Sequence, residues 1–303
     1  MVTAAKSGLE TSEAARHLIA PEPLFRESFN QTSFAFHHNL TQHPLFRLER
    51  LMELARSTQE TRPRDLYYDA GNVGVNQRWD QTPKPEFTAA DAIARIENCG
   101  AWIVLKHAEK DPAYKTVLDE CMRELEALTG LSIAKVMKVQ EVIMFITSPQ
   151  RVTTYHIDRE CSILLQIQGD KKISIFHRDD RQVLPEPDIE RFWSVDNNAP
   201  RYNPALQDHA QVYQLSPGTA VHIPVNFPHW LENSDNISVS LNINFQYRDS
   251  MRANVYRANF LLRKLGLSPT PPFRSPALDR MKSAAVTPVV WAGNISKGRK
   301  PWS

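Results

Sequence analysis

The fold is decided by the stretch Thr153-Thr-Tyr-His-Ile-Asp-Arg-Glu-Cys-Ser-Ile-Leu-Leu-Gln-Ile-Gln-Gly-Asp-Lys171. It opens with a segment that carries His156 and Asp158, continues as the apolar run 162–167, and turns at Gly169. A short apolar run bounded by turn residues is typical of a buried strand. Because residues two apart on a strand point to the same face, His156 and Asp158 are expected side by side.

Further apolar runs on both sides of this stretch predict more strands. Turn signals such as Ser148-Pro149 and Ser216-Pro-Gly218 separate them. The predicted strands are 142–146, 162–167, 173–176, 219–223 and 237–245. Several strands joined by turns, with no helix between them, predict an antiparallel sandwich or barrel. We therefore expect a mainly β core with flanking helices.

Helical patterns flank this core. Apolar spacing, a capping box and proline at a first turn predict helices over about 45–54, 88–98, 111–130 and 250–265. Between the first two helices, residues 58–86 are expected to form a long irregular connection, and residues 101–105 a buried strand. The chain then divides into a polar, partly mobile N-terminal segment (1–45), a helical elaboration that packs on the barrel (46–135), the barrel core (136–248), and a C-terminal helix with a proline-rich and basic tail (249–303).

The composition excludes several classes of protein. The 303 residues include 10 glycines against 21 prolines, which excludes collagen-like and glycine-rich linker proteins. The 36 basic and 34 acidic residues nearly cancel, so charge gives no case for a nucleic-acid or membrane partner. Three scattered cysteines, Cys99, Cys121 and Cys161, form neither a disulfide framework nor a zinc site. With no secretory signal and no apolar stretch of about 18 residues, we expect a cytoplasmic protein.

The pair His156 and Asp158 supplies two ligands of a facial metal triad, and the third must come from another strand. The candidate is His229, in Ile223-Pro-Val-Asn-Phe-Pro-His-Trp230. Two histidines and a carboxylate leave three open positions on one side of a six-coordinate metal, which suits Fe(II) that binds both a chelating cosubstrate and O2.

Other histidines compete for these roles. His222 lies inside an apolar strand, where a buried histidine with hydrogen-bond partners is common, and it is the alternative to His229 as third ligand. A second match to the pattern, His177-Arg-Asp179, falls in a charged run and is expected to be a solvated turn. His209 lies in a polar loop and is expected at the surface.

A lysine leads into the strand that follows Gly169. Lys171 or Lys172 faces the interior, because alternation allows only one of them to do so. A buried ammonium is costly unless it meets an anion, and the distal carboxylate of 2-oxoglutarate is such an anion. The alternative is a lysine that extends out to solvent at a hairpin.

The stretch 153–171 resembles the Jumonji-C-related, cupin-like branch of the Fe(II)/2-oxoglutarate oxygenases, the branch that includes the asparaginyl hydroxylases. The family's motif is T-P-x-H-x-D, followed by an apolar strand and G-x-K. Its third ligand follows I-P-x-x-W-W, and a strand of N-F-W type closes the site. The resemblance covers about residues 140–247, with Ile243-Asn-Phe-Gln246 as the closing strand. Here Thr154 replaces the proline, Phe227-Pro228 the two tryptophans and Gln246 the last tryptophan, and Ser162 stands where an asparagine assists.

The resemblance implies a double-stranded β-helix, or jelly roll, with His156, Asp158 and His229 as iron ligands. It further implies that Lys171 pairs with the C5 carboxylate of 2-oxoglutarate with help from the Thr153 hydroxyl, and that Asn244 lines the site near the chelating end. The implied activity uses Fe(II), 2-oxoglutarate and O2 to hydroxylate a protein or peptide side chain or a small metabolite, releasing succinate and CO2. Related hydroxylases pair through C-terminal helices, so the resemblance also implies a homodimer through residues 250–265.

Two other functions stay open. A non-redox cupin could bind a metal or small ligand in the same pocket, and the C-terminal helix could make the chain an interaction module.

Aromatic and basic residues of the long connection could cover the mouth of the site, namely Tyr67, Tyr68, Arg78 and Trp79. Glu232 or Asn233 could orient the outer nitrogen of a ligand histidine.

Overall fold

Two antiparallel sheets form the body of the protein in a computed structural model that describes residues 16–78, 81, 82 and 85–296. The strands are β1 (Leu18–Ile19), β2 (Phe34–His38), β3 (Leu66–Ala70), β4 (Ala101–Leu105), β5 (Met137–Thr147), β6 (Val152–His156), β7 (Cys161–Gln168), β8 (Lys171–Ile175), β9 (Gln211–Leu215), β10 (Thr219–Ile223), β11 (His229–Asn233) and β12 (Ser238–Tyr247). The large sheet has the order β1-β2-β10-β7-β12-β5-β4-β3, and the small sheet the order β6-β11-β8-β9.

Alternation along the strands separates two apolar layers. In β7, for example, Leu164 faces the small sheet and packs with Ile173 and Leu231, while Ile163 and Leu165 face the other way into the main core. Both faces of β7 are therefore buried, which explains its nearly continuous apolar sequence. The inner layer lies between the two sheets and forms the barrel interior.

Helices cover the outer face of the large sheet and one side of the barrel. They are α1 (Glu22–Ser28), α2 (Leu48–Thr61), α3 (Ala89–Ala94), α4 (Pro112–Thr129), α5 (Ile133–Val136), α6 (Glu186–Ser194), α7 (Met251–Lys264) and α8 (Pro276–Ser296). The predicted capping box is present at the start of α3, and Gly130 ends α4 in the left-handed region at φ +70°. In the described part of the chain, no helix has the length and apolar character needed to cross a bilayer.

The predicted fold class, a jelly roll with flanking helices, is confirmed by the two sheets and their antiparallel pairing. All five predicted core strands are present, as β5, β7, β8, β10 and β12, and the helix predicted over 250–265 is α7.

Several expectations about the flanks are wrong. The N-terminal segment was expected to be polar, but Leu18–Ile19 and Phe34–His38 are strands of the large sheet, and β2 pairs with β10 of the barrel. The connection 58–86 contains β3, which extends the same sheet beside β4. Part of the predicted tail forms α8, whose contacts are with α7, and residues 297–303 of that tail lie outside the described residues.

The barrel also contains an inserted helix. α6 lies between β8 and β9, although the sequence predicts no helix between the core strands. Its buried residues Ile189, Phe192 and Trp193 have helical spacing, which was hidden by the charged run that precedes it. α6 packs against α7, so the C-terminal helix is anchored to this insertion.

Candidate active site

Two histidines stand together where neighbouring strands of the small sheet meet. β6 ends at His156, β11 begins at His229, and the two residues lie directly opposite each other in the pair. Directly opposed residues share a face, and the two ring centroids are 4.2 Å apart. Asp158 follows β6, and its Oδ2 lies 3.8 Å from His156 Nε2 and 3.6 Å from His229 Nε2. One ligand atom from each residue lies within 4.8 Å of the other two.

The outer ring nitrogens of both histidines are held by main-chain carbonyl groups. His156 Nδ1 lies 2.6 Å from Thr154 O, and His229 Nδ1 lies 2.9 Å from Phe227 O. A carbonyl oxygen only accepts, so each Nδ1 carries a proton, and in the neutral ring the lone pair is then on Nε2. Burial, helped by the nearby His156, lowers the pKa of His229 to about 4, which keeps this ring neutral. Two such imidazoles beside a carboxylate are a donor set that fits Fe(II).

A β-bulge places Thr153 on the same inner face as His156. Thr153 lies opposite Leu231, and His156 lies opposite His229. Between these two pairs β11 advances by two residues and β6 by three, so β6 carries one extra residue. Without the bulge, residues three apart would point to opposite faces. The Thr153 hydroxyl thus belongs to the barrel interior, one row below the histidines.

Strand β8 directs Lys171 into the barrel and Lys172 out of it. Lys171 shares its face with Ile173 and Ile175, which line the interior, and only 5% of it is exposed. Lys172 pairs with Glu232 on the outer side, with 3.0 Å between Nζ and Oε2. The choice that alternation left open is therefore settled in favour of Lys171 as the inward lysine.

Lys171 is a buried cation that no described carboxylate pairs with. Its Nζ donates to Ser240 Oγ at 2.7 Å, and burial lowers the pKa of the ammonium from 10.5 to about 7. Ile175, four residues further along β8, lies opposite His229, so Lys171 is about 13 Å from the histidine row along the strand. A buried ammonium calls for an anion. Together with the triad, it fits a ligand that chelates a metal at one end and carries a carboxylate at the other.

Asn244 and Ser162 are neighbours on the inner face of the large sheet. They lie opposite each other in the pairing of β12 with β7. The Asn244 side chain accepts a hydrogen bond from Asn242 Nδ2 at 2.7 Å and contacts Glu141. The proposed position of Asn244 inside the barrel is thus compatible with a lining role, while its contact with a ligand stays a prediction.

The three competing histidines occupy structural positions. His222 faces the outer side of β10, where it stacks on Phe29 and receives a hydrogen bond from the Asn30 amide. His177 and Asp179 are half or more exposed. His209 is an exposed partner of Asp180, with 2.6 Å between Nδ1 and Oδ2. Alternation explains why His222 faces outward, since it lies between the inward residues Val221 and Ile223.

Glu232 and Asn233, expected to orient a ligand histidine, have other partners. Glu232 pairs with Lys172, and Asn233 Nδ2 donates to Ser148 O. Asn226 is a further residue of the site that the motifs did not indicate. Its backbone N–H donates to the main-chain O of Asp158 at 3.1 Å, and the residue adopts the left-handed region at φ +62°. Asparagine tolerates that conformation better than most residues, and its place after Pro224-Val was the available signal.

Of the four residues of the long connection expected near the mouth of the site, Tyr67 shares a cleft with Thr153. Tyr67 lies on the inner face beside Trp102, with ring centroids 5.6 Å apart, and both line a cleft of about 10 Å³ with Thr153. Tyr68 packs against the main core instead, and Arg78 binds Asp196 at 3.2 Å. Trp79 lies outside the described residues.

A family comparison agrees with this geometry. The sequence model of the family described as cupin-like domain matches residues 24–251, which include every strand of the two sheets except β1. The resemblance drawn from the motifs is confirmed by this match. No curated protein matches the sequence.

Solved structures with a similar fold include the YcfD protein of Escherichia coli. One YcfD structure has 15% sequence identity and a TM-score of 0.54, covering 90% of this chain and 68% of its own. A second, described as ribosomal oxygenase YcfD, has 13% identity and a TM-score of 0.52, covering 90% and 67%. A third, in complex with cobalt and 2-oxoglutarate, has 15% identity and a TM-score of 0.51, covering 90% and 68%. At these identities the likeness is one of fold.

Proposed function

The chain belongs to the cupin-like domain family, and on that premise we propose that it is an Fe(II)- and 2-oxoglutarate-dependent oxygenase. The proposed reaction hydroxylates a substrate side chain and releases succinate and CO2. The observation that carries the proposal is the pairing, inside one barrel, of a His-Asp-His cluster with the buried ammonium of Lys171. A simple metal-binding cupin has no need of such an ammonium.

The proposed ligands of Fe(II) are His156, Asp158 and His229, each through one atom. When bound, Fe(II), 2-oxoglutarate and O2 supply the oxidising chemistry. The carbonyl groups that hold both Nδ1 atoms fix the rings, so the Nε2 lone pairs point at one position. Three protein ligands would leave the remaining positions of the metal to the cosubstrate and O2.

Lys171 is the proposed partner of the C5 carboxylate of 2-oxoglutarate, with the Thr153 hydroxyl as a second donor and Asn244 nearer the chelating end. The surrounding Ile173 and Leu231 keep water away from this ion pair, which strengthens it. The charge of the carboxylate in turn offsets the desolvation of the ammonium.

The favoured substrate class is a protein or peptide side chain, and the alternative is a small metabolite. The fold neighbour described as a ribosomal oxygenase supports the first class and makes a ribosomal protein the first substrate to test. Mass spectrometry of ribosomal proteins incubated with the enzyme, Fe(II) and 2-oxoglutarate should then find a gain of one oxygen atom.

A cytoplasmic homodimer through the C-terminal helices is part of the same proposal. Large apolar side chains on and around α7 and α8 are exposed in the single chain, namely Leu261, Leu265, Leu267, Phe273, Met281 and Val289. Exposed large apolar side chains in this part of the chain favour a surface that a partner covers. Light scattering should give twice the chain mass, and Leu265→Lys should reduce it to one chain. An unchanged single-chain mass for both proteins would refute the dimer.

The oxygenase proposal is tested by succinate production. With Fe(II) and ascorbate, the wild-type protein should convert 2-oxoglutarate into succinate, and His156→Ala should not. His177→Ala, at the exposed copy of the motif, is the matched control and should keep the activity. Equal succinate output from wild type and His156→Ala would refute the proposal. Full 2-oxoglutarate affinity in Lys171→Ala would instead favour the non-redox cupin.

A further inference from the structure

A chain of buried hydrogen bonds leads from the β7–β8 turn to the Lys171 ammonium, and its direction is fixed at Gln166. Gln166 Nε2 lies 2.7 Å from Gln168 O and 2.9 Å from Gly169 O. Carbonyl oxygens only accept, so the atom facing them must be the amide nitrogen. The Gln166 carboxamide therefore has one orientation, with Oε1 turned toward Ser240.

Ser240 has one hydroxyl proton, which it donates in a hydrogen bond to Gln166. Ser240 Oγ lies 2.8 Å from Gln166 Oε1, which can only accept. The remaining contact of the hydroxyl, 2.7 Å from Lys171 Nζ, must then be one in which Ser240 accepts. Ser240 and Gln166 are fully buried, so no water competes for either bond.

We propose that Ser240 and Gln166 are positioning residues that hold the Lys171 ammonium for a carboxylate in the barrel, an inference that rests on the proposed function. Ser240 can accept a hydrogen bond from Lys171 but has no proton left to donate to a ligand. One N–H of the ammonium is thereby committed to Ser240, and two remain for the C5 carboxylate. Ser240 thus acts on the cosubstrate through Lys171 and not by contact.

This arrangement makes Ser240 specific for the distal carboxylate. A 2-oxoacid that lacks this group, such as 2-oxobutyrate, chelates the metal in the same way but gives Lys171 no partner. Loss of the Ser240 acceptor should therefore weaken the binding of 2-oxoglutarate and leave that of 2-oxobutyrate unchanged. A general loosening of the barrel would weaken both.

The experiment measures the binding of both 2-oxoacids to the protein loaded with Mn²⁺, through the relaxation of water protons on the metal. Ser240→Ala should weaken 2-oxoglutarate binding on the order of tenfold, the effect of one hydrogen bond to a charged group. Lys171→Met should weaken it more, and the double variant should equal Lys171→Met alone. Ser174→Ala, a buried serine on the outer face of β8, is the control and should match the wild type.

Each other outcome overturns the inference. An equal loss for both ligands in Ser240→Ala means that Ser240 only supports the fold. If the losses of 2-oxoglutarate binding caused by the two substitutions add up in the double variant, Ser240 contacts the carboxylate directly. If the wild type binds Mn²⁺ but not 2-oxoglutarate, the proposed function fails. The hydrogen-bond chain can then be tested without ligand. Ser240→Ala must shift the pH range over which the Lys171 proton affects the free energy of unfolding, and an unshifted pH profile refutes the inference.

Discussion

The buried ammonium of Lys171 predicts an unusual dependence of stability on pH. Burial lowers its pKa from 10.5 to about 7, which corresponds to roughly 4–5 kcal/mol against the charged form in the folded protein. Below about pH 7 both the folded and the unfolded chain bind this proton, and the full cost opposes folding. Between about pH 7 and pH 10.5 only the unfolded chain binds it, so this contribution to stability rises with pH.

Lys171→Met removes the titrating group and keeps an unbranched side chain of similar length. The free energy of unfolding of the wild type, relative to this variant, should rise by about 1.4 kcal/mol per pH unit above pH 7. From pH 7 to pH 9 the gain is therefore about 2–3 kcal/mol. Urea unfolding of the metal-free proteins measures it, and comparison with the variant cancels the other titrating groups.

The neighbouring lysine provides the control. Lys172 is partly exposed and paired with Glu232, so the difference between wild type and Lys172→Met should stay flat over the same range. Bound 2-oxoglutarate should restore the charge of Lys171 and abolish the slope. A difference between wild type and Lys171→Met that does not vary between pH 6 and pH 9 would refute the reasoning, because it would mean that the ammonium is solvated or already paired.

Further predictions concern the turns and the buried ion pair. Gly169→Ala should destabilise the protein by about 3 kcal/mol or more, since a Cβ there would lie 1.9 Å from Ile237 O. Gly218→Ala should cost only about 1–2 kcal/mol, because it shares the positive φ but has 3.6 Å to its nearest neighbour; equal costs in thermal unfolding would contradict this. Arg151→Met should cost about 3–5 kcal/mol, because it removes the cation that pairs with the buried Asp69 carboxylate and leaves the Tyr67 hydroxyl as its hydrogen-bond donor. Burial already raises the pKa of Asp69, so this loss should shrink as the pH falls and the carboxyl is protonated; a loss independent of pH would count against it.

The barrel core could be predicted because its signals are local. β7 and β12 are long apolar runs between turn residues. Gly169, directly after β7, and Gly218, directly before β10, have positive φ and mark two of the turns. The metal cluster could be predicted because His156 and Asp158 are close in sequence and His229 follows a recognisable run. These features depend on few residues, so the sequence displays them directly.

The flanking strands could not be predicted because their partners are remote. β2 pairs with β10, about 180 residues later, and its run of five residues contains two histidines. One of them, His38, is buried and bound to Gln166 O at 2.9 Å, so a polar residue serves the core. Only the completed sheet provides that acceptor. From sequence alone, the segment is therefore predicted to be polar and to lie outside the core.

The β6 bulge shows why motif spacing and strand geometry must be combined. Simple alternation puts His156 and Thr153 on opposite faces, since they are three residues apart. The motif nevertheless assigns both to one site, and the two statements are compatible only if β6 contains one extra residue. The register of β6 against β11 has that extra residue between Thr153 and His156. An irregularity of this kind can therefore be inferred from a functional motif before the structure is known, whereas neither alternation nor composition would have indicated it.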